Sequence, residues 1–308
     1  MKYRNPRIPE GINVSDSHPL KELLILAGGA LLLLVLLSWL LGQFGGRLAR
    51  LLPFEKEAAM APVSLLRSDA GSDLQVYLDR LGDRLGEQMD LPDGMLIHFH
   101  VNGNETFNAF ATLGGNILLY RGLLERLPHE NALAMLLAHE MAHIAHRDPI
   151  AGIGQGLAIQ GLIGLLLGDP NLAVLGSAGI YTQLHYTREM ERSADAAALN
   201  AVHDLYGHIG GAEDLFRVIR AQREYSGDSE MPAIFSSHPL DAQRLEAIAE
   251  LAQERGWTTT GEATPLPLEF GRWMAEATAR ATDAAGGDEP EPGEATSPSY
   301  LPPHPHPG

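Results

Sequence analysis

Two histidines and a glutamate stand at a spacing that could hold and use a metal ion. His139, Glu140 and His143 spell H-E-x-x-H inside a mostly apolar run that is typical of a buried helix. Positions i and i+4 share one helix face, so both imidazoles can reach the same ion. Glu140 lies one step round the helix, where a carboxylate can take a proton from water that the metal activates. The spacing predicts a catalytic zinc site, with a surface helix that carries these residues by chance as the alternative.

A carboxylate ligand is expected from a second helix, over residues 186–195. Glu191 and Asp195 share a helix face, so Glu191 can bind the metal while Asp195 accepts the second N–H of a ligand histidine. Glu189 is the competing ligand, but it lies on another side of the helix and has no acidic residue four positions on. The alternative for this segment is a solvated face of mixed charge. His146 follows the motif closely, but one helix cannot aim three histidines at one ion.

Four segments resemble the HtpX and CAAX-protease family of gluzincins, metallopeptidase family 48. They are residues 108–124, 138–148, 188–195 and 237–244. The resemblance extends over roughly residues 70–255. It implies a zinc endopeptidase with one zinc ion per chain, in which His139, His143 and Glu191 are the ligands and Glu140 is the base. The expected fold is α+β and mostly helical, with an N-terminal transmembrane anchor followed by a zincin-type domain that contains a small β-sheet.

A histidine and an arginine in the last of these segments need their own interpretation. His238 is followed by a proline and by an amphipathic stretch, Leu240 to Leu251. Taken alone, a His-Pro pair ahead of a helix is often a turn. The resemblance instead implies that His238 faces the active site, where it could stabilise the oxyanion of the tetrahedral intermediate or occupy the fourth zinc position at rest. Arg244 is then expected to pair with a buried carboxylate, and Asp195 is the candidate.

The N-terminal region contains a long apolar segment. Residues 23–46 carry no charge, and a helix over their core would span about 28 Å, the thickness of a bilayer core. Lys21 and Arg47 bracket the segment. We predict an uncleaved anchor after a tail over residues 1–22, rather than a signal peptide or a buried helix. The basic tail slightly favours a cytosolic N-terminus, which would place the catalytic domain in the periplasm of a bacterial inner-membrane protein.

The rest of the chain is predicted to be a peptidase domain over residues 61–280 and a tail. Residues 73–89 have helical periodicity, and residues 95–101 alternate like a strand. Residues 150–187 form two uncharged limbs around a turn. They predict an apolar helical hairpin that packs over the active site or dips into the bilayer surface, with two membrane crossings as the alternative. Residues 281–308 lack any apolar period and are predicted to be a disordered, acidic, proline-rich tail.

A β-hairpin is predicted ahead of the H-E-x-x-H helix. The glycine pair at 114–115 and the apolar residues 116–120 are typical of a turn and its second strand. Zincins pair an extended substrate with the edge of their sheet, so Asn108, Ala109 and Phe110 are predicted to bind substrate. An ordinary core hairpin is the alternative.

Composition limits the function further. The 308-residue chain is 45% hydrophobic, which is enough for one sizeable core, and its net charge of −17 makes nucleic acid an unsuitable partner. It contains no cysteine, so disulfide frameworks and thiolate zinc sites are excluded. We predict a membrane-anchored zinc endopeptidase that contacts lipid and cleaves unfolded or membrane-associated polypeptides, in quality control of membrane or envelope proteins. The alternatives are a zinc-containing chaperone or adaptor, against which the base Glu140 argues, and a hydrolase of non-peptide bonds.

Overall fold

A computed structural model describes residues 19–61, 66–92, 94–156, 186–226, 234, 238 and 242–286. These residues are mostly helical and include one small sheet, which confirms the predicted fold class. The helices are α1 (Pro19–Ala49), α2 (Phe54–Ala58), α3 (Ser72–Gly86), α4 (Arg121–Leu124), α5 (Glu130–Ala145), α6 (Arg188–Tyr206), α7 (Glu213–Ser226), α8 (Ala242–Arg255) and α9 (Phe270–Gly286). Residues 148–156 are also helical. The strands are β1 (His98–Asn102), β2 (Ala109–Thr112) and β3 (Asn116–Tyr120).

The predicted end of the domain at residue 280 falls within a helix. Helix α9 continues to Gly286, past the domain end predicted at residue 280. Trp273, Met274 and Ala277 are buried on one face of this helix, which packs against α3, α4 and β1. Most of the hairpin predicted over residues 150–187, and most of the predicted C-terminal tail, lie outside the described residues.

The sheet has the strand order β1-β3-β2 within the described residues. Strands β2 and β3 form the predicted antiparallel hairpin, and β1 pairs with β3 in parallel. The hairpin turn needs its glycines, because Gly114 and Gly115 have φ angles of 73° and 78°. A Cβ atom on Gly115 would also collide with the carbonyl oxygen of Leu96.

Strand β2 has one edge that faces away from β3. The amide of Tyr120 donates to the carbonyl of Asn108 at 3.1 Å, so Asn108 turns its peptide groups toward β3. Residues of an antiparallel pair alternate in this respect. Ala109 and Ala111 therefore turn their N–H and C=O groups to the side where no strand lies among the described residues.

Helix α5 lies at the centre of the domain and packs on α3, α6, α7 and β2. His129 caps its N-terminal end, where Nδ1 accepts a hydrogen bond from the amide of Ala132 at 3.2 Å. The side chains from Leu133 to Ile144 are all buried, on every side of the helix. Burial of its polar side chains costs free energy unless they form hydrogen bonds, pair with a charge or bind a metal.

Helix α6 supplies those partners. Thr187 caps its first turn, where the hydroxyl accepts a hydrogen bond from the amide of Met190 at 3.3 Å. Gly207, with a φ of 77°, ends the helix. Because α6 packs along α5, its buried residues Glu191 and Asp195 face the two histidines of the H-E-x-x-H motif.

Helix α1 is long and apolar enough to cross a membrane. It has a mean hydropathy of 2.7 over its most apolar window, and none of that window is buried. This agrees with the predicted anchor over residues 23–46. The C-terminal end of α1 approaches the helical segment 148–156 closely, since a Cβ atom on Gly154 would lie 2.7 Å from the carbonyl oxygen of Gly45.

Candidate metal centre

Four buried side chains point their ligand atoms at one position. The Nε2 atoms of His139 and His143 are 3.2 Å apart, and Oε1 of Glu191 lies 3.4 Å from Nε2 of His143. Nδ1 of His238 is 2.9 Å from the same oxygen and 3.3 Å from Nε2 of His139. Four tetrahedral ligands that bind zinc at about 2.0–2.1 Å lie roughly 3.3–3.5 Å from one another. The side chains present therefore fit an ion of this size.

Two carboxylates orient the histidines of α5. Oδ1 of Asp195 is 3.0 Å from Nδ1 of His139, and Oδ2 of Asp148 is 3.0 Å from Nδ1 of His143. Each carboxylate can accept the Nδ1–H of its histidine, which leaves the Nε2 lone pair for a metal. Asp195 is the residue predicted for this position. Asp148 was not predicted, because it lies beyond the end of α5, where helix periodicity no longer applies.

Arg244 contacts two buried acidic residues of α6, Asp195 and Glu191. Its Nε and Nη2 atoms donate to the two carboxylate oxygens of Asp195, each at 2.8 Å. Its Nη1 atom is 2.5 Å from Oε2 of Glu191. All three side chains are almost fully buried. This bidentate arrangement fixes the direction in which both carboxylates point.

The charges in the cluster favour a cation. Burial would raise the pKa of Glu191, but His238, His139 and His143 outweigh burial and hold that pKa well below its usual range. Burial likewise opposes ionisation of Asp195, yet His139 and Arg244 lower its pKa. Burial lowers the pKa of His139, and the neighbouring carboxylates of Asp195 and Glu191 raise it to about 10. The carboxylates thus stay ionised and attract positive charge to the Nε2 atoms.

Glu140 lies beside the ligand cluster with one oxygen unused. Its Oε1 atom is 3.5 Å from Nε2 of His238, and its Oε2 atom is buried without a hydrogen-bond partner among the described residues. A cavity of about 20 Å³ adjoins it, with apolar walls that include Leu215, Phe216 and Ile219. That volume holds one water molecule but no side chain. Glu140 is therefore placed to accept a proton from a small polar molecule.

Tyr186 joins the cluster to the sheet, and sequence reasoning missed it. Its ring stacks on His143 with centroids 3.9 Å apart and an interplanar angle of 11°. Its hydroxyl donates to the carbonyl of Ala111 at 3.1 Å, on the outward edge of β2. No local pattern marks this tyrosine, because both contacts are with residues far away in sequence.

The remaining predicted residues lie outside the cluster. Asn108, Ala109 and Phe110 are buried on and beside β2, and their side chains belong to the hairpin rather than to the group of ligand atoms. Glu189 is exposed on α6. Of the two candidate carboxylates in that turn, only Glu191 belongs to the group of possible metal ligands.

Comparison with known proteins agrees with this geometry. Residues 72–252 match the model of Peptidase family M48. A putative beta-barrel assembly-enhancing protease of Vibrio cholerae is 26% identical over 194 residues, which cover 59% of this chain and 40% of that protein. The beta-barrel assembly-enhancing protease of Yersinia pestis is 25% identical over 232 residues, which cover 67% and 46%. The mitochondrial metalloendopeptidase OMA1 of Schizosaccharomyces pombe is 26% identical over 215 residues, which cover 66% and 62%.

The match includes both helices of the ligand cluster. It begins at the start of α3 and ends within α8, so α5, α6, His238 and Arg244 all lie inside it. The chain spans less than half the length of the two bacterial relatives. With more than half of its residues matched, the chain belongs to peptidase family M48, a family of metallopeptidases.

Proposed function

We propose that this protein is a membrane-anchored, zinc-dependent endopeptidase that carries one zinc ion per chain. The observation that supports this most directly is the convergence of three histidine nitrogens and a carboxylate oxygen within 4.8 Å of one another. The unpartnered oxygen of Glu140 beside them adds the base that a hydrolase needs and a structural metal site does not.

The proposed mechanism assigns one task to each side chain. His139, His143 and Glu191 would hold the zinc ion, which when bound supplies a Lewis acid that acidifies water and polarises a carbonyl. Glu140 accepts the proton of the attacking water at its free carboxylate oxygen and passes it to the leaving amine. Asp195 keeps the Nδ1 proton on His139, so that Nε2 remains a ligand throughout.

His238 has two proposed tasks at different stages. Its Nδ1 atom lies among the ligand atoms, which supports the role of a fourth ligand in the resting protein. Its Nε2 atom faces Glu140 at 3.5 Å. When it is not a ligand, the same imidazole would lie beside Glu140, where it could stabilise the oxyanion of the tetrahedral intermediate. The small cavity beside Glu140 supports this order, because a peptide cannot enter until His238 moves.

The substrate is proposed to bind along the outward edge of β2. The outward-facing peptide groups of Ala109 and Ala111 could pair with an extended polypeptide, as strands do in β-augmentation, once the Tyr186 hydroxyl releases the carbonyl of Ala111. Of residues 108–110, Ala109 would then contact it through backbone, because the peptide groups of Asn108 and Phe110 face β3. Because this mode of binding recognises the main chain through hydrogen bonds, it is suited to unfolded polypeptides of many sequences.

We propose the cellular location of the protein from helix α1, and its role in the cell from the relatives. An exposed apolar helix of this length supports a single-pass anchor, in a bacterial inner membrane with the domain in the periplasm. Relatives named beta-barrel assembly-enhancing protease and mitochondrial metalloendopeptidase OMA1 support quality control of membrane or envelope proteins. Membrane lipid and polypeptides are the proposed partners, and nucleic acid is not.

Cleavage of an unfolded protein by the purified full-length chain tests the proposal. We expect casein to be cut by the detergent-solubilised protein, cutting to stop with a chelator, and zinc to restore it. An ester panel run in parallel separates peptide hydrolysis from hydrolysis of other bonds. Casein that binds with or without chelator and is never cut would instead support the chaperone or adaptor.

A further inference from the structure

Residues 50–57, which follow α1 and are here called the exit segment, lie against the end of the H-E-x-x-H helix. Nη2 of Arg50 is 2.7 Å from Oδ1 of Asp148. In the opposite direction, Nε of Arg147 donates to Oε2 of Glu57 at 2.7 Å. The exit segment thus provides a cation, Arg50, to Asp148 and an anion, Glu57, to Arg147. We call these two ion pairs the exit clamp.

The exit clamp also fixes the backbone where the chain leaves α5. Arg147 has a φ of 59°, a left-handed conformation that is unfavourable for a residue with a Cβ atom. Its Nη2 atom donates to the carbonyl of Leu52 at 2.8 Å. Glu57, which is buried, also accepts the amide of Gly114 in the hairpin turn at 3.2 Å. These contacts hold Arg147 in a conformation that it would otherwise leave, and the position of Asp148 depends on it.

Asp148 connects the exit clamp to the metal centre. Its two oxygens have different partners, since Oδ1 faces Arg50 and Oδ2 faces Nδ1 of His143 at 3.0 Å. The carboxylate is only 1% exposed, so water cannot replace either partner easily. A carboxylate with one oxygen held by a guanidinium is restrained from turning away from the imidazole. The path Arg50–Asp148–His143 therefore runs without a gap from the end of the anchor helix to a proposed ligand.

We infer that Arg50 and Asp148 are positioning residues of the metal centre, and that the anchor, through its exit segment, supports the geometry of His143. The inference rests on the proposed function, because it requires a metal held by His143. It gives the anchor a second task besides attachment. The competing explanation is that Arg50, whose side chain is 38% exposed, makes an ordinary surface ion pair with no effect on the centre.

Zinc affinity of the full-length chain in detergent separates these explanations. The measurement uses a Glu140→Gln background, where no cleavage occurs, and a chelating dye as competitor. We expect Asp148→Asn to weaken zinc binding about 10- to 100-fold, as is typical of the carboxylate behind a ligand histidine, and Arg50→Gln to weaken it about 3- to 10-fold. Arg47→Gln is the matched control. It removes the same charge one turn earlier, from an exposed residue that lines, together with Arg50 and Asp148, a separate cavity at the end of α1.

A double mutant shows whether Arg50 acts through Asp148. If it does, Arg50→Gln causes no further loss in the Asp148→Asn background, and Arg50→Lys restores part of the affinity in the parent. Equal affinities for Arg50→Gln and Arg47→Gln would overturn the inference, as would losses that multiply in the double mutant. If Asp148→Asn does not fold, the zinc affinities of Arg50→Gln and Arg50→Lys still test the inference. A parent protein that binds no zinc would overturn the proposed metal centre itself, and the inference with it.

Discussion

Glu189 and Glu191 lie two residues apart on α6 but differ in their exposure to solvent. Glu191 is fully buried against three histidines, whereas Glu189 is exposed. We predict that Glu191→Gln weakens zinc binding by at least about 100-fold, since it removes the anion among the proposed ligands rather than a group behind one. Glu189→Gln should leave affinity unchanged. Equilibrium dialysis against buffered zinc measures both. Equal losses in the two variants would show that general negative charge, not ligation, governs binding.

Arg244 is the cation that makes two buried carboxylates tolerable. Its side chain is 4% exposed and contacts both Asp195 and Glu191. Removing one member of a buried ion pair typically costs about 3–5 kcal/mol, because the remaining charge has no partner. We predict that Arg244→Gln lowers the free energy of unfolding by this order, measured by urea denaturation in the presence of chelator.

Arg217 on α7 is the control for Arg244. It also pairs with acidic residues, but its side chain is 63% exposed, and surface pairs are worth about 0–1 kcal/mol. Arg217→Gln should therefore shift the denaturation midpoint only slightly. A shift as large as that of Arg244→Gln would contradict the buried-pair explanation.

Among the site residues, the sequence predicts which ones lie together when they share a face of one helix. The spacing of four places His139 with His143, and Glu191 with Asp195, because each pair shares a helix face. It does not predict Asp148 or Tyr186. Asp148 follows a left-handed residue that ends the helix, and Tyr186 contacts a strand 75 positions away in sequence. Contacts of that kind depend on tertiary packing, and periodicity carries no information about them.

The edge of β2 is the element to which we propose that substrate binds. An extended polypeptide that pairs with Ala111 must compete with the Tyr186 hydroxyl for the same carbonyl oxygen. Tyr186→Phe keeps the ring on His143 and removes only the competing donor. A single hydrogen bond contributes about 0.5–1.5 kcal/mol, so we predict a KM for casein-derived peptides that is about 2- to 10-fold lower, with kcat unchanged.

Steady-state kinetics of Tyr186→Phe, beside the exposed control Tyr225→Phe, test this prediction. A higher KM in Tyr186→Phe would mean that the hydroxyl contacts substrate and does not compete with it. A lower kcat at unchanged KM would place Tyr186 in the chemical step instead.

The elements themselves were predictable to different degrees. The β2–β3 hairpin follows from local signals, a glycine pair and an apolar strand. The parallel pairing of β1 with β3 does not, because β2 lies between them in sequence but on the other side of β3 in the sheet. Helix α9 extends past residue 280 and packs on α3, α4 and β1, elements far from it in sequence that local periodicity cannot indicate.

At the level of the whole molecule, the described residues combine a proposed membrane anchor with a domain of peptidase family M48. Two arginines in the middle of α1 should release the protein from the membrane, since each costs about 2.5–3.5 kcal/mol at the centre of a membrane helix. We predict that Leu32→Arg/Leu33→Arg moves the protein into the soluble fraction after an alkaline carbonate wash. Leu32→Ala/Leu33→Ala should stay in the pellet. Retention of the arginine variant would contradict the role of α1 as an anchor.

The most direct test of the account is the paired measurement of bound zinc and casein turnover in wild-type protein and in Glu140→Gln. Glu140 lies beside the ligand cluster but does not belong to it, so the variant should bind one zinc ion per chain as tightly as wild type. Turnover should fall by at least about 100-fold, the lower end of what a positioned general base contributes. Full turnover by Glu140→Gln with its zinc in place would contradict the proposed mechanism.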